Sequence, residues 1–143
     1  MLLLLMPEQV TPYWEDIKEG LGEALPDGGP DRRNLILQGI LLGTIEVWIS
    51  YRKEDAGSVV EAGVITAVIK DYIHDTLNLL VYAAWAVGDT TWKSWGEAIT
   101  ALKKYAKSKG CNRLITLSDE KIFLDLAEAT GGEAKYKFLT WDV

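Results

Sequence analysis

Hydrophobic and polar positions follow two different periods along this chain, and each period predicts a different kind of element. The opening residues 1–6 are all apolar, and we interpret them as an N-terminal strand buried on both faces. Apolar residues then recur at helical spacing over 12–25, behind Thr11 and Pro12, which are typical of a helix start. After a loop rich in Pro and Gly, a second helix is predicted over 31–42.

The middle of the chain has the pattern of three consecutive strands. Residues 45–51 alternate between apolar and polar, whereas 63–69 are apolar on both faces. The longest other apolar run lies within 77–87. Polar segments at 52–58 and 71–76 separate the three runs and read as turns. The pattern therefore predicts an antiparallel meander.

Helical and strand patterns alternate again in the last third. A helix is predicted over 92–108 and a strand over 113–117. Ser118 is placed to cap a further helix, which ends near residue 130, and an alternating stretch over 134–141 predicts a last strand. The order of elements predicts an α/β (α+β) protein with a mixed sheet, a central antiparallel meander and helices on both faces.

Composition adds bounds to this picture. A length of 143 residues, with 48% hydrophobic and 25% charged residues, fits one globular domain over 1–143. One cysteine, Cys111, excludes an intramolecular disulfide, and with a single histidine it excludes a zinc cluster around these residues. A site made of carboxylates stays open, although we expect no metal. No apolar run is long enough to span a bilayer, and we expect a cytoplasmic protein.

Charge is unevenly distributed. The net charge is −6, yet residues 93–113 contain six basic residues and one acid, Glu97. That segment has a local charge of +5, so the rest of the chain carries −11. The acidic total predicts no direct binding to nucleic acid. We interpret the basic segment as a solvated helix face, with an anion site as the alternative.

The order of elements resembles the Gcn5-related N-acetyltransferase (GNAT) fold over essentially the whole chain. Two stretches carry the resemblance: "LKKYAKSKGCNRLITL" at 102–117, which is similar to the family's helix–glycine–strand segment, and "LDLAEATGG" at 124–132, which is similar to the helix and glycine that follow. The combination also resembles small GNAT-like proteins of tailed bacteriophages.

The resemblance implies that the turn after the third meander strand binds coenzyme A. In active family members, a loop of the form Gln/Arg-x-x-Gly-x-Gly/Ala turns its backbone N–H groups toward the pyrophosphate. Here that position holds Val87, Gly88 and Asp89, with one glycine and an acid. These residues, with Lys93 in the next helix and Ser118 after the parallel strand, are the candidate cofactor contacts. The mismatch predicts a turn that anchors the helix and holds no phosphate.

Two tryptophans follow this turn. At 100° per residue, Trp92 and Trp95 fall on the apolar stripe of their helix. We expect both to pack in the core.

The catalytic groups that the resemblance implies are not matched. A tyrosine general acid would lie in the helix after the parallel strand, but residues 120–130 contain no tyrosine. No spacing places Tyr82, Tyr105 or Tyr136 at a thioester. Weak candidates for a general base are Glu61 and His74, with Asp71 beside the latter, but each is better explained as a surface charge.

Three functions are compatible with these residues. The leading hypothesis is a GNAT-like protein without acetyltransferase activity and without a cofactor, acting as a protein-binding or structural module of a bacteriophage virion or its assembly. Its partners would be other virion proteins or further copies of itself. The alternative is a divergent acetyl-CoA-dependent N-acetyltransferase, and a second alternative is a small acidic inhibitor of a host protein. Exposure of Trp14, Trp48 and Trp141 would favour a binding surface.

Overall fold

A computed structural model describes residues 1–25, 29–88, 92–117, 121–135 and 139–143. Two 3₁₀ turns, Pro7–Gln9 and Thr11–Tyr13, follow the first strand. The helices and strands, in chain order, are β1 (Leu3–Leu4), α1 (Trp14–Ala24), α2 (Gly29–Leu42), β2 (Glu46–Glu54), β3 (Gly57–Asp71), β4 (Thr76–Ala86), α3 (Trp92–Ser108), β5 (Arg113–Thr116) and α4 (Lys121–Ala129).

The five strands form one mixed sheet in the order β1-β2-β3-β4-β5. Every neighbouring pair is antiparallel except β4 and β5, which are parallel. A parallel pair needs a long crossover, and α3 supplies it. The predicted mixed sheet with a central antiparallel meander is confirmed.

Helices cover both faces of the sheet, as predicted. On one face, α1 and α2 bury apolar side chains against β2, β3 and β4; the central ones are Ile17, Leu21, Ile36, Ile40, Val47, Ile49, Ile65 and Trp85. On the other face, α3 packs on the sheet through a second cluster formed by Trp48, Val64, Leu79, Leu102 and Ala106. The alternation of side chains along β2 explains this division, because Trp48 points opposite to Val47 and Ile49.

Both ends of the chain differ from the prediction. The expected strand over 1–6 is only the two-residue edge strand β1, half-buried and paired with Trp48 and Ile49. The expected strand over 134–141 has no regular structure at 134–135 or 139–141, and 136–138 lie outside the described residues. Alternation alone cannot make a strand without a neighbour to pair with, so this prediction is wrong for the described positions.

The three tryptophans expected to report on a binding surface are not equivalent. Trp48 is buried, Trp14 is half-buried, and Trp141 is 80% exposed. They therefore do not form a shared aromatic surface. No helix within the described ranges is both long and apolar enough to cross a membrane.

Candidate active site at the end of β4 and β5

A β-bulge interrupts β4 at Tyr82. Thr66 of β3 pairs with Val81, and the preceding residue, Ile65, pairs with Ala83. Tyr82 is therefore an additional residue opposite this step, and its side chain is 47% exposed. A bulge of this kind bends a strand and turns side chains in new directions, and it is common beside active sites.

The pairing between β4 and β5 stops at the bulge. The carbonyl oxygen of Leu77 accepts a hydrogen bond from the N–H of Asn112 at 2.7 Å. At the last pair of the ladder the direction is the same, since the carbonyl oxygen of Val81 accepts from the hydroxyl of Thr116 at 3.2 Å. β5 ends at Thr116, and Val81–Thr116 is the last pair. The odd-numbered residues before the bulge thus point their peptide groups toward β5.

Beyond the bulge the direction is reversed. The N–H of Val87 donates to the carbonyl oxygen of Glu61 on β3 at 2.8 Å, although Val87 is an even number of residues from Val81. Since peptide groups alternate along a strand, Ala84 and Ala86 direct their N–H and C=O away from β3. They face the edge that β5 has left, where no strand of the described residues pairs with them.

A pocket of about 250 Å³ opens beside the bulge, on the side of the sheet that α2 covers. It is mainly apolar. Its wall includes Arg32, Leu35 and Ile36 of α2, Ile45, Ile65 of β3 and Tyr82 of β4. The bulged tyrosine therefore belongs both to the pocket and to the point where β4 and β5 separate.

Three of the predicted cofactor contacts lie within the described residues that follow β4 in the chain. Val87 and Gly88 follow β4 directly, and Lys93 is exposed in the first turn of α3. Gly88 has φ +80°, a conformation that favours glycine. The N–H of Val87 is already donated to Glu61. Asp89 and Ser118 are outside the described residues.

Glu61 lies near this loop but away from the bulge. Its carboxylate accepts a hydrogen bond from the hydroxyl of Ser50 at 3.0 Å. Four residues of β3 separate it from Ile65, which is roughly 13 Å along a strand. Glu61 is itself the unpaired residue of a second bulge, between Ser50–Ala62 and Tyr51–Val60. The structure places it beside the loop and not beside Tyr82.

His74 lies at the opposite end of β4, in the turn after β3. Its Nδ1 is 2.8 Å from the carboxylate of Asp71, which also accepts hydrogen bonds from the N–H groups of Ile73 and His74. These hydrogen bonds, led by the His74 side chain, lower the pKa of Asp71. β4 begins at Thr76, after the turn that holds His74, and the six steps from Thr76 to Tyr82 cover roughly 20 Å along the strand. His74 and Asp71 thus stabilise an exposed turn far from the open edge.

The remaining tyrosines have different surroundings. Tyr105 donates to Glu46 at 3.0 Å, and burial, followed by the Glu46 charge, raises its pKa to about 12. It packs edge-on against Trp48, with ring centroids 5.0 Å apart, within the core on the α3 side. Tyr136 is outside the described residues. Of the three tyrosines considered from the sequence, Tyr82 is the one found at the bulge.

A shallow groove of about 600 Å³ runs between α3 and the end of α4, with Lys93, Lys103 and Thr130 on its wall.

Trp95 packs edge-on against Phe123 of α4, with ring centroids 6.3 Å apart. Trp95 is half-buried in this contact between two helices, and its expected place in the core stays a prediction; nothing is described of the Trp92 side chain. The basic residues of the 93–113 segment are all exposed, as a solvated helix face requires. In the described parts of the chain, no group of three acidic, histidine or cysteine residues is placed to hold a metal.

Solved structures share this fold over the whole chain. The aminoglycoside N-acetyltransferase AAC(6')-Iy in complex with CoA superimposes with a TM-score of 0.78 at 12% identity, covering 100% of this chain and 93% of that one. An aminoglycoside acetyltransferase from an uncultured soil metagenomic sample, in complex with sisomicin, gives 0.69 at 17% identity and covers 100% and 94%. Ribosomal-protein-alanine N-acetyltransferase from Brucella melitensis biovar Abortus 2308 gives 0.65 at 12% identity and covers 100% and 96%. No protein-family model and no curated protein sequence matches the chain.

The chain therefore has a GNAT-like fold, and the resemblance read from its sequence is confirmed at that level. The expectation of a non-catalytic binding or structural module is wrong on the same comparison, because these full-length structural matches are N-acetyltransferases. The expectation that no cofactor is needed was attached to that hypothesis, whereas several of the matching structures hold CoA or a CoA conjugate. The resemblance to bacteriophage proteins is not addressed by the matches and stays a prediction.

Sequence reasoning missed the bulge and the pocket. It named Tyr82 without a place for it and did not consider Arg32 or Thr116. One signal was present in the sequence of the strand 76–86. Its side chains are large until its end, where "YAAWA" places three alanines within five residues. Small side chains beside a separating strand leave room for a ligand.

Proposed function

We propose that this protein is an acetyl-CoA-dependent N-acetyltransferase. The observation that carries the proposal is the bulge at Tyr82 at the point where β5 ends, which leaves Ala84 and Ala86 facing an open edge of β4. The N-acetyltransferases that share the fold support the choice of reaction.

The open edge suits the pantetheine arm of coenzyme A. This arm is an extended chain with two amide groups, and an extended chain can bind a strand edge through main-chain hydrogen bonds. The N–H and C=O groups of Ala84 and Ala86 are the partners that β4 offers. The pyrophosphate then lies toward Gly88 and the N-terminus of α3, where the helix dipole favours an anion, with the exposed Lys93 nearby.

The reaction follows from the placement of the thioester at the bulge. A neutral amine enters through the pocket that Tyr82 borders, and its nitrogen attacks the carbonyl carbon. The C–N bond forms, the C–S bond breaks, and the proton lost by the amine ends on the thiolate of coenzyme A. A strand N–H directed at the carbonyl oxygen stabilises the oxyanion. Tyr82 supplies a phenol at this point, and we assign it the transfer of the proton to the thiolate.

Calorimetric titration with acetyl-CoA and CoA tests the site, using two variants of one residue. Ala86→Pro removes the N–H that faces the open edge, while the ladder with β3 does not use this N–H and is kept. Ala86→Ser retains the N–H and is the matched control. We expect wild type and Ala86→Ser to bind, and Ala86→Pro to lose at least about tenfold in affinity, the equivalent of one hydrogen bond at about 1.4 kcal/mol.

Absence of binding by the wild-type protein would refute the proposal. Equal affinity of Ala86→Pro and Ala86→Ser would refute the placement of the cofactor along β4 while leaving binding itself intact. Circular dichroism of both variants, compared with wild type, establishes that the sheet is retained.

A further inference from the structure

The pocket beside Tyr82 has an apolar wall and one cation at its edge, and this combination selects among amines. Its wall on α2 is formed by Leu35 and Ile36, and the sheet side contributes Ile65. At about 250 Å³ it is smaller than the roughly 300–1,000 Å³ of pockets that hold drug-sized ligands. Its apolar wall matches one small apolar group.

One cation stands at the edge of this apolar surface. Arg32, in the first turn of α2, lines the pocket, is exposed, and has no carboxylate partner among the described residues. No acidic side chain lines the pocket. A guanidinium matches the geometry of a carboxylate through two parallel hydrogen bonds, and the positive end of the helix dipole adds to the attraction.

We infer that the acceptor is a free amino acid with an apolar side chain, bound through its carboxylate to Arg32. This inference rests on the proposed function. The apolar side chain packs against Leu35, Ile36 and Ile65, and the amine faces Tyr82 and the end of the β4–β5 ladder. The product is the N-acetyl amino acid, and coenzyme A leaves as its thiol.

The positive charge of Arg32, with no acidic side chain in the pocket wall, disfavours a polycationic acceptor. Several of the matching structures are aminoglycoside acetyltransferases, and an aminoglycoside carries several ammonium groups. A site for such a molecule needs carboxylates, since an unpaired cation beside Arg32 would be repelled. This chain thus shares the fold of those enzymes, but its pocket is not lined by the carboxylates that their substrates require.

An acceptor panel with two arginine variants tests the inference. The amines are leucine, phenylalanine, leucinamide, glutamate and sisomicin, each at a fixed concentration of acetyl-CoA, with release of the CoA thiol as the readout. Leucinamide keeps the amine and the side chain of leucine and lacks the carboxylate. Arg32→Gln removes the guanidinium, and Arg33→Gln is the matched control, because Arg33 is the next residue of α2 and does not line the pocket.

We expect leucine and phenylalanine to be the best acceptors, with leucinamide poorer. Arg32→Gln should raise the KM for leucine on the order of 10- to 100-fold, as for loss of a hydrogen bond to a charged group. It should leave the KM for leucinamide and the affinity for CoA unchanged, and Arg33→Gln should behave as wild type. Preference for sisomicin, or equal use of leucine and leucinamide, would overturn the inference.

A binding measurement separates this inference from the proposed function. Leucine is titrated into the protein alone and into its CoA complex, and backbone amide NMR shifts are followed. Shifts around Arg32 and Tyr82 that vanish in Arg32→Gln are expected in both series. If CoA fails to bind but these shifts remain, the acetyltransferase proposal fails and the amino-acid site stands. If CoA binds and leucine produces no shift, only the present inference is wrong.

Discussion

At the scale of single residues, Glu46 is the polar centre of the core on the α3 side. Its carboxylate accepts a hydrogen bond from the hydroxyl of Tyr105 at 3.0 Å and another from Thr66 at 3.3 Å. The hydroxyl of Thr66, which is fully buried, accepts in turn from the indole N–H of Trp48 at 3.0 Å. Buried polar groups need such partners, so one carboxylate holds β2, β3 and α3 in register.

Tyr105→Phe should lower the free energy of unfolding by about 1–2 kcal/mol at neutral pH, because it removes a hydrogen bond to a carboxylate. It should also change the response to alkali. Burial and the Glu46 charge raise the pKa of Tyr105 from its ordinary value of 10.0 to about 12 in the folded protein. Its contribution is therefore complete below pH 10 and is lost as the pH rises toward 12.

Urea unfolding at several pH values between 7 and 11 measures both effects. The wild-type protein should lose stability above pH 10 more steeply than Tyr105→Phe. Tyr51→Phe is the control, since Tyr51 is exposed on β2. Identical alkaline slopes for wild type and Tyr105→Phe would contradict the assignment.

At the scale of elements, the packing of α1 on the sheet depends on two glycines facing one tryptophan. Trp85 of β4 is 5% exposed and lies over Gly20 of α1 and Gly63 of β3. A Cβ atom at either glycine would overlap the indole ring. The absence of side chains at these two positions is what allows α1 to approach β3 and β4.

Gly63→Ala should destabilise the protein by about 1–3 kcal/mol, because the added methyl group has to displace a ring in a packed core. Gly96→Ala is the control with the opposite expectation. Gly96 lies within α3 with nothing within 4 Å of an added Cβ, so alanine should stabilise the helix by up to about 1 kcal/mol. Chemical denaturation measures both changes. A free energy of unfolding for Gly63→Ala equal to that of wild type would show that Trp85 is not constrained there.

Element identity could be predicted from the sequence far better than element length. The helix over 92–108 was expected with the bounds that α3 has, since its apolar stripe and terminal glycine are local signals. β3 runs over 57–71, well beyond the predicted 63–69. The ends of the strand, Gly57, Ser58 and Lys70, are exposed and are held by pairing with β2 and β4, whereas Val60 is buried in the core although it lies outside the predicted strand.

At the scale of the whole molecule, a chain with a net charge of −6 contains a basic helix, α3, that follows β4 in the chain. The exposed lysines of α3 give this helix the positive charge that attracts an anionic cofactor. Long-range attraction of this kind is screened by salt. Binding of a cofactor that bridges β4 and α3 also stabilises the folded state as a whole.

Acetyl-CoA at 100 times its dissociation constant should stabilise the folded protein by about 2.7 kcal/mol. For a chain of this size, that corresponds to a rise in Tm of about 5–12 °C. Thermal unfolding with and without acetyl-CoA measures the shift, and Ala86→Pro under the same conditions should show a much smaller one. A wild-type Tm that stays constant up to millimolar acetyl-CoA would count against a cofactor site anywhere on the molecule.

The sequence by itself determined the class of fold, the order of the central elements and the absence of a disulfide framework. These features depend on local periodicity, capping residues and composition, all of which are written along the chain. The positions of the open strand edge and of the pocket, in contrast, depended on the tertiary structure. The bulge at Tyr82 exists in the register between β3 and β4, and the pocket exists because Arg32 of α2 is brought beside that bulge. Both depend on contacts between residues far apart in sequence, which no local pattern records.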